Sequence, residues 1–290
     1  MDFQKKLASD KFVVLAEMNI PKGVDVSDLT INTRLLKSRI DAVILPDMDN
    51  GIMHMSSIGS GVVMLRQGFE PIIHLCGRDR NRMALQGDLL SAHILGIRNL
   101  LIVQGEDMTN GDHQEAKPVD DLDGPGLISM VDTLNNGRDL SGFELIGKPE
   151  FFAGVSIPPI VDDAHLDREI EKAKEKIDLG AQFIMTQPVF DLDYYSRILN
   201  KLNTLNIPVL SSILLLKNVG MARYISINDP NLRLSENIIT RIRKAKDREG
   251  ESICIAGEMI SRLKKESDGI KISALGWENR LPAILDSAEL

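Results

Sequence analysis

Glu17 closes the run Phe12-Val-Val-Leu-Ala-Glu and shares strand parity with Val13 and Leu15. On a β-strand its carboxyl therefore continues one face to the strand's end. A carboxyl placed there against apolar neighbours is expected to have a raised pKa, because desolvation disfavours the anion. That suits a general acid working near neutral pH. The same pattern also fits a rim glutamate paired with a lysine or arginine. A second apolar run, Pro71-Ile-Ile-His-Leu-Cys-Gly-Arg-Asp-Arg-Asn-Arg, leaves His74, Cys76 and Arg78 at its end. Arg78, Arg80 and Arg82 can hold an anion such as a phosphate with the help of the following helix N-terminus, or can form a solvated charged turn. A third run, Asn99-Leu-Leu-Ile-Val, ends in Gln104, Gly105 and Glu106. Glycine lets a backbone approach a flat ligand closely. The neighbouring carboxylate can tune a heterocycle, or can serve as an ordinary turn or N-cap group. Gln187 ends Phe-Ile-Met-Thr-Gln, where its amide can meet a ring edge, and Asn279 and Arg280 can hold a carboxylate.

These residues need elements that bring them to one place. Apolar runs over residues 12–17, 41–46, 70–75, 99–103, 151–156, 182–187, 209–216 and 269–274 read as strands. The first four begin about 29 residues apart, the size of one βα unit. Helical patterns fall between them, over 25–38, 56–67, 127–134, 192–202, 219–225, 235–247 and 253–265, with a closing helix from 279 or 280 to 286. The helix after the third strand carries Leu85, Leu89 and Ala92 on one face, with Asp79 as N-cap and Gly96 as its end. The segment 108–126, rich in Asp, Gly and Pro, reads as a long loop at the rim. Eight strands alternating with helices, with nothing like a linker, predict one α/β domain over residues 1–290, a (β/α)8 TIM barrel. A doubly wound open sheet is the second choice, because no Gly-x-Gly-x-x-Gly follows the first strand. In either architecture ligands bind at the carboxyl ends of the strands.

Composition excludes several classes. The 290 residues are 43% apolar, enough for a full core, and the net charge is −8 with Lys and Arg scattered. That disfavours nucleic acid and anionic membrane surfaces as partners. Aromatics make up 4%, too few for a base-stacking surface. No run reaches the roughly 20 apolar residues of a membrane span. The polar start Met1-Asp2-Phe3-Gln4-Lys5-Lys6 lacks a signal-peptide core, so the expected location is cytoplasmic. The two cysteines, Cys76 and Cys254, form no Cys-x-x-Cys, so an iron–sulfur cluster held by this chain alone is excluded. Both read as reduced thiols, with Cys76 lining a pocket without reacting. His54, His74, His93, His113 and His165 lack metal-ligand spacing, and no metal is expected. Alternating Glu and Lys around Lys172, Lys174 and Lys176 reads as a solvated helix face.

The segments Ala16-Glu17, His74-Leu-Cys-Gly-Arg-Asp-Arg-Asn, Leu95-Gly-Ile-Arg-Asn-Leu-Leu-Ile-Val-Gln-Gly-Glu, Lys174-Glu-Lys-Ile-Asp-Leu-Gly-Ala-Gln-Phe-Ile-Met-Thr-Gln and Met221-Ala-Arg-Tyr together resemble the methylenetetrahydrofolate reductase family, over nearly the whole chain. The resemblance implies a barrel with a flavin, FAD or FMN, at its mouth. It also implies hydride transfer from reduced flavin to 5,10-methylenetetrahydrofolate, giving 5-methyltetrahydrofolate. By resemblance Glu17 is the acid that opens the methylene bridge to an iminium ion, and Glu106 is a carboxylate near flavin and folate. Gln187 is a pterin contact and Arg280 the folate-tail arginine. His74 and Lys176 are flavin-side positions, and Cys76, Arg78 and Gly105 line the same side.

Three positions depart from the family pattern. Gly154-Val-Ser-Ile-Pro-Pro stands where many members have Ala-Tyr-Pro-Glu, so the flavin type stays open. Ser212-Ile-Leu-Leu and Val219 replace a Gly-Ile-Leu-Pro run and a Phe that packs on nicotinamide. Gln104-Gly-Glu replaces Arg- or Thr-Gly-Asp. The electron source is thus either NAD(P)H or a separate iron–sulfur partner subunit, in an oligomer or complex. A flavin-free pterin-binding barrel such as a methyltransferase, and a non-catalytic scaffold subunit, are the alternatives.

Overall fold

In the computed structural model, which describes residues 3–9 and 11–290, eight parallel strands close into a barrel in simple sequence order. They are β1 (Val13–Glu17), β2 (Ala42–Leu45), β3 (Pro71–Leu75), β4 (Asn99–Ile102), β5 (Phe152–Ser156), β6 (Phe183–Pro188), β7 (Val209–Leu214) and β8 (Gly269–Ser273). Helices lie between them, as the (β/α)8 expectation requires. The strands are almost continuously apolar because both faces are covered, the inner by the barrel and the outer by helices. Alternation decides which residue goes where. Val14 and Ala16 join the core between barrel and helices, while Val13 and Leu15 join Ala42, Ile44, Ile72, Leu101 and Phe183 inside the barrel.

The amino end of the barrel is plugged. Helix Phe3–Leu7 buries Phe3 and Leu7 against the inner residues, and the Phe3 amide donates to Glu70 at 2.8 Å, just before β3. The Phe3 ring meets Phe152 and Phe183 edge-on at 5.8 and 5.6 Å, and those two rings stack at 5.4 Å. With this floor closed, the carboxyl ends of the strands form the open end.

Several boundaries differ from the sequence expectation, each for a local reason. Asn81, not Asp79, caps helix Arg82–Ile94, accepting from the Ala84 amide at 3.0 Å, because Asp79 is held by Arg78. Gly96 does end that helix, with φ of 101°. The rim loop is shorter than expected. Asp123 caps a helix that begins at Gly124 with Pro125 in its first turn, so it starts before Leu127. Likewise Asp247 caps helix Arg248–Leu263, which starts ahead of residue 253. At β6 the pairing with β7 shifts register between Met185 and Pro188, where proline has no N–H for the ladder.

Gly154 shows how tightly the floor is filled. A Cβ there would lie 2.3 Å from the buried Phe183 ring. Gly154→Ala is expected to cost about 1–3 kcal/mol through overpacking. Urea denaturation measures it, and an unchanged midpoint would contradict the packing described.

Candidate active site at the barrel mouth

Glu17 ends β1 on the inner face, as its parity requires, and borders a cleft of about 320 Å³ with Met18, Asn50, His54, Leu275 and Glu278. In register, Glu17 stands beside Ser273 of β8, and Leu15 beside Lys271. Lys271 therefore also points inward, one layer below the acid. Its Nζ donates to Glu17 Oε2 at 2.7 Å, and the two side chains are only 13% and 15% exposed. Burial pushes the Glu17 carboxyl up. Lys271, then His74, and hydrogen bonds from Lys271 and Ser273 outweigh that and hold it below its ordinary value. This corrects the expected raised pKa. Desolvation is present as predicted, but a cation 254 residues away in sequence overrides it.

His74, on the inner face of β3, points into the same region. Its Nδ1 lies 3.2 Å from Asp49 Oδ1. Burial raises the Asp49 carboxyl, but His74 counters it and Asp49 ends below its ordinary value. The other ring nitrogen, Nε2, is buried and has no hydrogen-bond partner among the described residues. Beside this pair, Asp47 is buried with Arg80 on Oδ2 and no partner among the described residues on Oδ1. Burial, with help from Asp49, raises its pKa against the pull of Arg80.

The three arginines do not form the anion site that their spacing suggested. Arg78 is buried and makes five hydrogen bonds. Nε and Nη2 reach Asp79 at 2.7 and 2.9 Å, Nη1 reaches the Glu106 and Asp49 carbonyls at 2.6 and 3.2 Å, and Nη2 reaches the Met48 carbonyl at 2.6 Å. Its guanidinium is a clamp joining the loops after β2, β3 and β4. Arg80 is bound by Asp47 and Asp88, and Arg82 by Asp121. Gly105 is glycine for a different reason from the one expected. A Cβ there would fall 2.8 Å from Cys76 Sγ and 3.1 Å from the Arg78 side chain, so protein and not ligand occupies that space. Cys76 is buried in this wall and its thiol is pushed up to about 11 by burial, which leaves it unreactive. Glu106 follows with its amide on the Asp49 carbonyl at 2.7 Å and its side chain exposed. Partial desolvation, Asp49 and Asp229 raise its pKa, with Arg78 opposing.

Gln187 sits at the β6 register shift and borders a second, smaller cleft of about 50 Å³ with Pro158, Tyr194 and Arg233. Arg280 is half-buried and ion-paired to Glu249 at 2.6 Å. Lys176, half-buried, lies against the first turn of helix Gly124–Asn135, 4.0 Å from where a Gly124 Cβ would be, and burial lowers its pKa. The structure thus joins Glu17 and His74 in one electrostatic group and sets Glu106 beside it through Asp49. Gln187 borders a different cleft, Arg280 is paired with Glu249, and Lys176 packs against helix Gly124–Asn135. Two members of the central group, Lys271 and Asp49, were not singled out from sequence. Lys271 had a signal: a charge between Ile270 and Ile272 at inward parity.

A closed parallel barrel with its ionisable groups gathered at the carboxyl ends of the strands is the arrangement of a barrel protein with a mouth-borne site. More narrowly, the family model described as Methylenetetrahydrofolate reductase matches residues 2–289, and the chain belongs to that family. Among curated proteins it is similar to methylenetetrahydrofolate reductase 1 of Schizosaccharomyces pombe, 26% identical over 164 residues, which covers 55% of this chain and 25% of that protein. It is also similar to methylenetetrahydrofolate reductase 2 of the same organism, 26% identical over 211 residues, covering 69% and 31%. The match therefore spans less than a third of either relative's length. Solved structures agree on the fold alone. EDTA monooxygenase from Chelativorans sp. BNC1 matches with a TM-score of 0.55 and 9% identity, over 96% of this chain and 92% of that one. Mycobacterium tuberculosis tryptophan synthase matches with 0.51 and 11%, over 99% and 94%.

Two expectations follow from the geometry. Arg78→Ala removes the clamp, so stability falls by about 2–3 kcal/mol, and amide exchange quickens at Glu106, whose own carbonyl loses its donor. Exchange as slow as in the wild type would show that the loops hold without it. Glu106 holds its proton more tightly folded than unfolded, so its ionisation weakens the fold as pH rises past the ordinary value of 4.5. The melting temperature of Glu106→Gln relative to wild type is expected to increase with pH across that point. A constant difference would contradict the raised pKa.

Proposed function

We propose that this chain is a flavin-dependent reductase of 5,10-methylenetetrahydrofolate, producing 5-methyltetrahydrofolate. The observation that carries the reading is Glu17, an inward carboxylate on the wall of the large mouth cleft, in a chain that belongs to this family. A folate seated there presents its methylene bridge to an acid inside a partly dry cavity. The buried His74 Nε2, which lacks a partner among the described residues, is the observation that fits a flavin at the same mouth. His74 and Glu106 are the side chains proposed to hold its ring, with Lys176 against an anionic part of its tail. Reduced flavin, when bound, supplies a hydride.

The protein's own residues do the rest. Glu17 delivers a proton to the bridge nitrogen that leaves, which opens the bridge to an iminium cation. Its carboxylate then faces that cation and stabilises it at short range in a low dielectric. Gln187 contacts the pterin and Arg280 the glutamate tail, each exchanging its present surroundings for substrate. Electrons reach the flavin from NAD(P)H or from an iron–sulfur partner. Val219 packs against the barrel's core and offers no ring for a nicotinamide to lie on, which favours the partner route.

Glu17→Gln tests the assignment. The variant is expected to keep flavin absorbance and folate binding, and to lose about 10²–10⁴-fold in folate reduction. Wild-type turnover in that variant would remove Glu17 from the mechanism.

A further inference from the structure

Burial pushes the Glu17 carboxyl up, but Lys271 and then His74 hold it below its ordinary value, so a proton that Glu17 hands on has first to be delivered to it. A charged group hydrogen-bonded to it is placed to supply that proton. Lys271 Nζ is hydrogen-bonded to Oε2 at 2.7 Å, from below. Register puts the Lys271 backbone level with Leu15, one inward layer beneath Glu17, and of the two residues it is Glu17 that lines the cleft. The fold does not ask for a charge there. Ile270 and Ile272 pack on the outer side of β8, and the register neighbours of Lys271 are Leu15, which is apolar, and Ser212, whose hydroxyl is committed to the Thr186 carbonyl. A buried ammonium is costly unless it is paired, and Glu17 is its partner.

The other charged groups around Glu17 are less suited to feed it. His74 of β3 adds to the field on Glu17, but its Nδ1 is engaged with Asp49, which follows β2, and its Nε2 makes no hydrogen bond to Glu17. Asp47 is bound to Arg80. At the cleft's rim, Lys22 after β1 is paired with Asp112, His54 with the Met55 and Asp47 carbonyls, and Glu278 with the Gly276 amide.

We propose that Lys271 is the proton source behind Glu17, and that the Glu17–Lys271 pair together is the acid of the site. This deepens the reading of the cleft as a folate site and rests on it. In the step, an Nζ–H bond breaks and its electron pair stays on Lys271 as a neutral amine. The proton passes through the Glu17 carboxylate to the departing bridge nitrogen. The bond from the methylene carbon to that nitrogen breaks, its pair going to the nitrogen, and an N–H bond forms. One positive charge leaves the ammonium and one appears on the iminium, so Glu17 exchanges one cationic partner for another and the site's net charge is conserved. No electron is gained or lost. Solvent then reprotonates Lys271. Because it acts through Glu17, Lys271 is a positioning residue.

Lys271→Arg and Lys271→Met, prepared as flavin-loaded protein beside the wild type, separate the possibilities. The readouts are single-turnover reoxidation of the reduced flavin by methylenetetrahydrofolate as a function of pH, folate affinity, and the ¹³C signal of the Glu17 carboxyl, assigned with Glu17→Gln. A guanidinium keeps the charge but does not release its proton. Lys271→Arg is therefore expected to leave Glu17 ionised and folate affinity within about threefold, yet to slow turnover about 100-fold at every pH. In Lys271→Met the desolvation of Glu17 is no longer offset. Its carboxyl is expected to titrate at higher pH than in the wild type, and the rate to rise as pH falls through that titration. Lys271→Arg turning over at the wild-type rate with the wild-type profile would overturn the proposal. So would a Glu17 titration unmoved in Lys271→Met. A wild type whose reduced flavin is not reoxidised at all would instead refute the folate reading on which the step depends, while the ¹³C titration would still report on the pair.

Discussion

A carboxylate at the inner end of a barrel strand loses much of its hydration, and Lys271, reaching Glu17 from the neighbouring strand, holds its carboxyl below its ordinary value against that loss. The two residues lie at opposite ends of the chain, 254 positions apart, and meet only where β8 closes on β1. Closure of the barrel and the charge state of the mouth are thus one fact. A slip of one residue in the β1–β8 register would turn Lys271 outward and leave Glu17 without its cation. The aromatic floor of Phe3, Phe152 and Phe183 seals the opposite end, and Glu17 lines the larger cleft at the open one.

Around this pair the mouth is braced by polar groups that look like ligand contacts in sequence and are mostly engaged with the protein itself. Arg78 ties three loops together through backbone carbonyls. Gly105 and Cys76 fill the wall behind it. Among the described residues, the buried side-chain atoms left without a partner are His74 Nε2, Asp47 Oδ1, on a carboxyl whose pKa burial raises, and Tyr194 Oη beside the Gln187 cleft. An unpartnered buried polar atom costs free energy unless something binds to it, which is why His74 Nε2 marks a place for a ligand more strongly than the clustered arginines do.

The strands were legible in the sequence because buried parallel strands are short apolar runs, and the eight runs lie where the barrel's strands do, within a few residues. Glu17's inward direction was legible from parity with Val13 and Leu15. Its pKa was not, because the deciding charge sits on β8 and only barrel closure brings it near. Lys271 carried a faint mark, a lysine alternating with isoleucines, but lysine in an outward strand position is common enough to hide it. The arginine cluster misled for the opposite reason. Spacing shows where guanidinium groups lie along the chain, and it cannot show that Asp47, Asp88 and Asp121 arrive from elsewhere to bind two of them while Asp79 and backbone carbonyls take the third. Helix starts at Gly124 and Arg248 were missed where an aspartate cap precedes glycine-containing first turns, a pattern that reads as loop.

The measurement closest to the centre of this account is the absorbance spectrum of the purified protein, followed by anaerobic reduction with dithionite and addition of 5,10-methylenetetrahydrofolate. The account predicts a flavin spectrum that bleaches on reduction and returns when the folate is added, with 5-methyltetrahydrofolate as the product. A protein that takes up neither FMN nor FAD, or whose reduced flavin is indifferent to the folate, would contradict it.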